Sequence, residues 1–105
     1  MPAMTLTEKQ LRFLRGKAHA LKPVVMLGKN GLTDNVVAET IQALEVHELI
    51  KVKVRVGDRA ARDAVLAALV ERASGTLVAR IGHVAVLYRE RATVPGRMVL
   101  PDAQM

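Results

Sequence analysis

A chain of 105 residues with 16 Lys and Arg against 10 Asp and Glu carries a formal charge of +6 on the length of one domain, a balance that favours polyanionic partners such as nucleic acid or an acidic membrane surface. Half of it is hydrophobic, yet Phe13 and Tyr88 are its only aromatics. The core must therefore be aliphatic, and aromatic base-stacking platforms are excluded. With no cysteine, no signal-peptide pattern and no apolar run near the roughly 18 residues of a membrane span, disulfide frameworks and thiolate metal sites fall away. A soluble, cytoplasmic protein is expected.

Met1 to Leu6 reads as a short leader. Thr7 and Gln10 form a capping-box pair at the start of a first helix. Leu11, Leu14, Ala18 and Leu21 share one face of it, with Arg12, Arg15 and His19 on another. Lys22-Pro23 ends the helix and opens a short buried strand, Val24-Val25-Met26-Leu27. Beyond Gly28-Lys29-Asn30-Gly31, Thr33 or Asp34 caps a second helix that runs to about Glu48, with Val37, Ile41 and Leu44 inward.

Strict alternation follows. Ile50, Val52, Val54 and Val56 face one side of a strand, and Lys51, Lys53 and Arg55 face the other. Gly57-Asp58 breaks this strand and caps a third helix to about Ala73, packed through Val65, Leu66, Leu69 and Val70, with Gly75 as its stop. Thr76–Ile81 and Val84–Arg89 read as strands joined by Gly82-His83, which fits a type II′ hairpin. A tail, 92–105, follows, with room for one short added strand at Arg97–Leu100.

The order helix, strand, helix, strand, helix, strand, strand predicts an open two-layer α/β sandwich. Its four-stranded mixed sheet has the helices on its apolar face. Helices between the first three strands permit parallel pairing, whereas the last two strands must be antiparallel.

Gly28-Lys29-Asn30-Gly31 stands directly before a helix N-terminus, where close backbone approach and unpaired N–H groups favour an anion. A GxxG pair alone also reads as a tight turn needing positive φ. The coincidence with Lys29 in a basic chain points to phosphate. No Gly-Lys-Ser/Thr at Walker spacing is present.

Lys9, Arg12, Arg15, Lys17, His19 and Lys22 crowd the first helix and its end, with only Glu8 near enough in sequence to offset them. The Lys51, Lys53, Arg55 row reads either as a charged surface that guards against aggregation or as a nucleic-acid contact.

Catalysis has no cast. His19, His47 and His83 lie at a helix end, on another helix and at a hairpin tip, without carboxylates at ligand spacing. Asp58 and Asp63 are accounted for by capping and solvation, and the one serine, Ser74, lies at a helix end. Neither enzymatic activity nor a cofactor is expected.

Several pieces, in order, resemble one family. They are Ala18-His19-Ala20-Leu21-Lys22-Pro23-Val24-Val25, then Leu27-Gly28-Lys29-Asn30-Gly31-Leu32-Thr33, then His47-Glu48-Leu49-Ile50-Lys51-Val52-Lys53, and Gly82-His83 with Val86-Leu87-Tyr88-Arg89. Together they resemble the CRM domain (chloroplast RNA splicing and ribosome maturation) in its bacterial YhbY-type stand-alone form, over a domain at 5–91.

The resemblance implies a fold like the C-terminal domain of translation initiation factor three and an RNA-binding, non-catalytic role. Its implied partners are ribosomal RNA and the precursor of the large ribosomal subunit, met by a monomer during ribosome assembly. Gly28, Lys29, Asn30 and Gly31 map onto the family's RNA-contacting loop, with Lys22 and the cations of the first helix alongside. His83 departs from the pattern, which leads one to expect lysine there, and so supplies no fixed charge at neutral pH. The alternatives are a general nucleic-acid binder and a basic protein-interaction module without ribosomal specificity.

Overall fold

The computed structural model describes residues 6–90. The tail at 92–105, with its expected short strand, lies outside them. Seven elements follow in chain order: α1 (Glu8–Ala18), β1 (Pro23–Leu27), α2 (Asp34–His47), β2 (Leu49–Val54), α3 (Arg59–Arg72), β3 (Thr76–Ile81) and β4 (Val84–Tyr88).

Each helix starts where a side chain caps it. Thr7 Oγ1 accepts from the Gln10 amide at 3.1 Å and Gln10 returns a bond to the Thr7 amide, completing the capping box. Thr33, rather than Asp34, caps α2 through the Val36 amide, and Asp58 caps α3 through that of Ala61.

Two helix ends differ from expectation. α1 stops at Ala18 instead of continuing to Lys22, the chain leaving through tight turns from His19 to Gly16 and from Leu21 to Ala18. A helix carried on to Pro23 would lose a donor and set the ring against the carbonyl of His19. At the end of α3, Ser74 rather than Gly75 takes the left-handed conformation, φ +56°. The Ser74 amide bonds to Glu71 and the Gly75 amide to Val70, a Schellman closure with serine at the position glycine usually holds.

The sheet order is β1-β2-β4-β3. β1 and β2 pair in parallel through the α2 crossover, with Val25 opposite Val52 and Leu27 opposite Val54. β4 is antiparallel to both neighbours, with Lys51 opposite Val86 on one side and Arg80 opposite Ala85 on the other. Thus β1, β2 and β3 run the same way, and only β4 is reversed. β3 therefore does not pair with β2, because β4 has inserted between them. Of the two residues in the hairpin, only Gly82 takes positive φ, as a type II′ turn requires.

The mixed α/β class is as expected, but the helices do not all share one face. α2 and α3 cover the first face, where Val37, Leu44, Leu66 and Leu69 meet Val25, Leu27, Ile50, Val52, Ala85 and Leu87. α1 lies on the opposite face, packing Leu14 and Ala18 on Leu49, Val78, Val86 and Tyr88. β4 is buried on both sides, which is why Ala85 to Tyr88 is an unbroken apolar run.

Candidate nucleic-acid interface

α1 covers only the part of its face over β3, β4 and the start of β2. The remainder stays open. Lys51 and Lys53 stand on it at the parity of buried Leu49, beside β1, where Val24 and Met26 are more than half exposed. The alternation that sends Ile50, Val52 and Val54 into the α2–α3 core therefore aims both lysines at this open face. Arg15 and His19, exposed on the C-terminal half of α1, join Lys51 around a hollow of about 180 Å³ floored by Ala18 and Val86. Arg12 lies on the exposed side of α1 close to one turn earlier.

The Gly28–Gly31 segment leaves the far end of β1. It is itself a β-turn, with the Gly31 amide donating to the Gly28 carbonyl at 2.9 Å. Lys29 and Asn30 hold its two corners, both exposed, and Gly31 leaves it at φ +71°. Two of the amides expected to serve an anion are thus engaged, that of Gly31 in the turn and that of Val36 with Thr33. Gly28 differs from Gly31. Its φ lies outside the left-handed region, and a Cβ built on it would meet nothing within 4 Å. Neither a left-handed φ nor a neighbouring atom demands glycine at this position.

Lys22 does not sit beside this turn. It stands at the opposite end of β1, some five residues or about 16 Å of strand away, on a mostly apolar hollow of about 400 Å³ with Leu21, Val24, Leu49 and Ile50. Arg55, by contrast, lies near the turn, its amide bonded to the Leu27 carbonyl at 2.8 Å. The basic side chains therefore form a path across one face and around one end of the sheet: Arg12 and Arg15 on α1 with His19 at its C-cap, then Lys51 and Lys53, then Arg55 and Lys29. Among the described residues no group of three His, Asp or Glu side chains is placed to hold a metal ion.

Sequence reading missed the arginines beyond this path. Arg59 and Arg62 of α3 and Arg80 of β3 converge on a polar groove of about 440 Å³ beside Gly82. The signal was local: β3 follows α3 through residues 73–75 alone, and a strand that returns along the helix before it brings Arg80 toward the first turn of α3.

A small basic α/β domain, with a half-covered sheet face and a lysine-bearing glycine turn at its edge, is the class of protein these features define. Comparison with known proteins supplies the family. Residues 6–89 match the CRS1/YhbY (CRM) domain, and the chain belongs to that family. It is 53% identical over 85 residues to an RNA-binding protein of Haemophilus influenzae, covering 81% of this chain and 86% of that one. It is 46% identical over 85 residues to YqeI of Bacillus subtilis, named as a probable RNA-binding protein, covering 81% and 88%. The solution structure of the hypothetical protein SAV1595 from Staphylococcus aureus has the same fold, with a TM-score of 0.72 and 37% identity over 82% of this chain and 90% of that one.

Proposed function

We propose that this protein binds RNA, and specifically the structured RNA of the large ribosomal subunit or its precursor particles, during ribosome assembly. The observation that carries the reading is Lys29 at the corner of a turn whose Gly28 faces open space, at the end of a sheet face lined by Lys51, Lys53, Arg15 and His19. Backbone phosphates meet the lysines and Arg15, with His19 as a hydrogen-bonding neighbour. Asn30 bonds phosphate or sugar, and Gly28 lets the strand approach without a side chain between.

Exposed Val24 and Met26 offer apolar contact to sugars or unstacked bases on the same face. Recognition by shape and phosphate suits a chain without an aromatic platform. The names of the Haemophilus and Bacillus relatives support RNA as the ligand. The role is one of binding without catalysis, by a cytoplasmic monomer.

The test is a sucrose-gradient profile of cell extract at low salt, probed for the wild type and for a Gly28→Asp/Lys29→Glu variant. Wild type travelling with large-subunit precursors while the variant stays near the top supports both the partner and the turn. Wild type remaining at the top overturns the ribosomal reading. Equal affinity for duplex DNA and for ribosomal RNA would reassign the protein as a general nucleic-acid binder.

A further inference from the structure

We infer that the groove between the first turn of α3 and the β3–β4 hairpin, lined by Arg59, Arg62 and Arg80, is a second phosphate-binding site, used by the same RNA that meets the Lys29 turn. The inference rests on the RNA reading above but on different residues. The three guanidinium groups come from two elements and open into one polar groove of about 440 Å³.

Two of them are held in place by protein acceptors. Arg62 Nη1 donates to the Gly57 carbonyl at 3.1 Å. Arg80 bonds Asp63 Oδ1 through Nη2 at 2.8 Å and the Gly82 carbonyl through Nη1 at 3.3 Å. Anchored guanidiniums lose less freedom when an anion arrives, and their planar donors match phosphate oxygens. The Nε of Arg62 is buried with no hydrogen-bond partner among the described residues, so the groove is met by the outer nitrogens of this side chain.

The local acids do not fill the groove. Asp58 is committed to capping α3, and Asp63 is paired with Arg80 and does not line the groove. His83 is exposed at the hairpin tip and does not line the groove.

Position links the two sites. The Lys29 turn leaves β1 at the same end of the sheet where β2 ends and the hairpin turns. The Val54 amide bonds the His83 carbonyl at 2.6 Å and the Arg55 amide bonds that of Leu27. From β1 to β3 is three strand spacings, about 14 Å, with Arg55 between. A phosphodiester chain crossing the strand ends would meet Lys29, Arg55 and the arginine groove in turn.

The experiment has two arms on the full chain. First, the Arg Nε–H resonances are followed by NMR during titration with inorganic pyrophosphate. Shifts at Arg59, Arg62 and Arg80 are expected. Second, binding of a labelled large-subunit ribosomal RNA transcript is measured over a salt series for the wild type, Lys29→Ala, Arg59→Gln and Arg59→Gln/Arg62→Gln.

The double variant should bind about three- to tenfold more weakly, with the log–log salt slope smaller by about 0.7 to 0.9 for the phosphate it no longer neutralises. The single variant at exposed Arg59 should show a lesser loss in the same direction, and stands alone if the double variant melts early. A folded groove variant with wild-type affinity and slope overturns the second site, whatever pyrophosphate does, while Lys29→Ala still reports on the first. Wild type that binds no RNA overturns the functional reading and this site with it.

Discussion

Arg72 in the last turn of α3 reaches Asp34 in the first turn of α2, its Nη2 lying 3.0 Å from Oδ1. The Asp34 side chain is 95% exposed, so the pair contributes under about 1 kcal/mol to stability. Asp34 itself places a carboxylate three residues beyond the Gly28–Gly31 turn, and the pair holds Arg72 to it. Asp34→Asn is expected to tighten RNA binding about twofold, by removing repulsion near the phosphate and releasing Arg72. Melting should change little. Anisotropy titrations at low salt check this, and unchanged affinity would place the RNA away from the turn.

The two turn glycines should respond oppositely to alanine. Gly31→Ala puts a side chain at φ +71° and should cost about 1 kcal/mol of stability. Gly28→Ala meets no such strain and no neighbouring atom, and should leave stability equal or raise it by about 0.4 to 1 kcal/mol. Its loss should appear in RNA affinity alone. Urea melts paired with binding curves separate the two effects. A Gly28→Ala protein that binds as the wild type does would return this glycine to a purely local role.

On the open sheet face, Lys51→Gln/Lys53→Gln should reduce the log–log salt slope by about 0.7 to 0.9 for each phosphate left without its lysine. Both lysines are only half-buried, so the fold should survive. A slope identical to that of the wild type would confine the interface to the sheet end.

Ser74→Gly tests the α3 terminus. Left-handed φ costs a residue with a Cβ about 1 to 2 kcal/mol, and Ser74 sits at +56°. The glycine variant should unfold at higher urea concentration. A lower midpoint would mean that the serine side chain offsets the strain.

The elements themselves were legible because local chemistry fixes them. Thr7 with Gln10, Thr33, Asp58 and the Gly82-His83 pair mark boundaries by side-chain and backbone preferences that act within a few residues. The side of the sheet that α1 occupies was harder to see, because it depends on β4 lying between β2 and β3, a long-range pairing. Two hints existed. Leu49 is apolar at the parity of Lys51 and Lys53, and residues 84–88 are apolar without alternation, both signs of a sheet covered from two sides.

The same limit governed the candidate site. Lys29 and Asn30 were readable within their turn, whereas the separation of Lys22 from it follows from the direction of β1, and the meeting of Arg80 with Arg59 and Arg62 from the return of β3 along α3.

The seat of α1 also sets an order of events. The helix at the start of the chain rests on Val78, Val86 and Tyr88, and β4 joins β2 across a separation of 31 residues at its nearest pair, Lys53 with Val84. A chain made from its N-terminus therefore offers α1 only Leu49 of this seat until residues 78–88 have emerged and paired. The hollow that gathers Arg15, His19 and Lys51 has Val86 of β4 in its floor and is complete once β4 is in place. The surface that would meet RNA is thus a product of completed folding, and a stalled or truncated chain carries the charges without their arrangement.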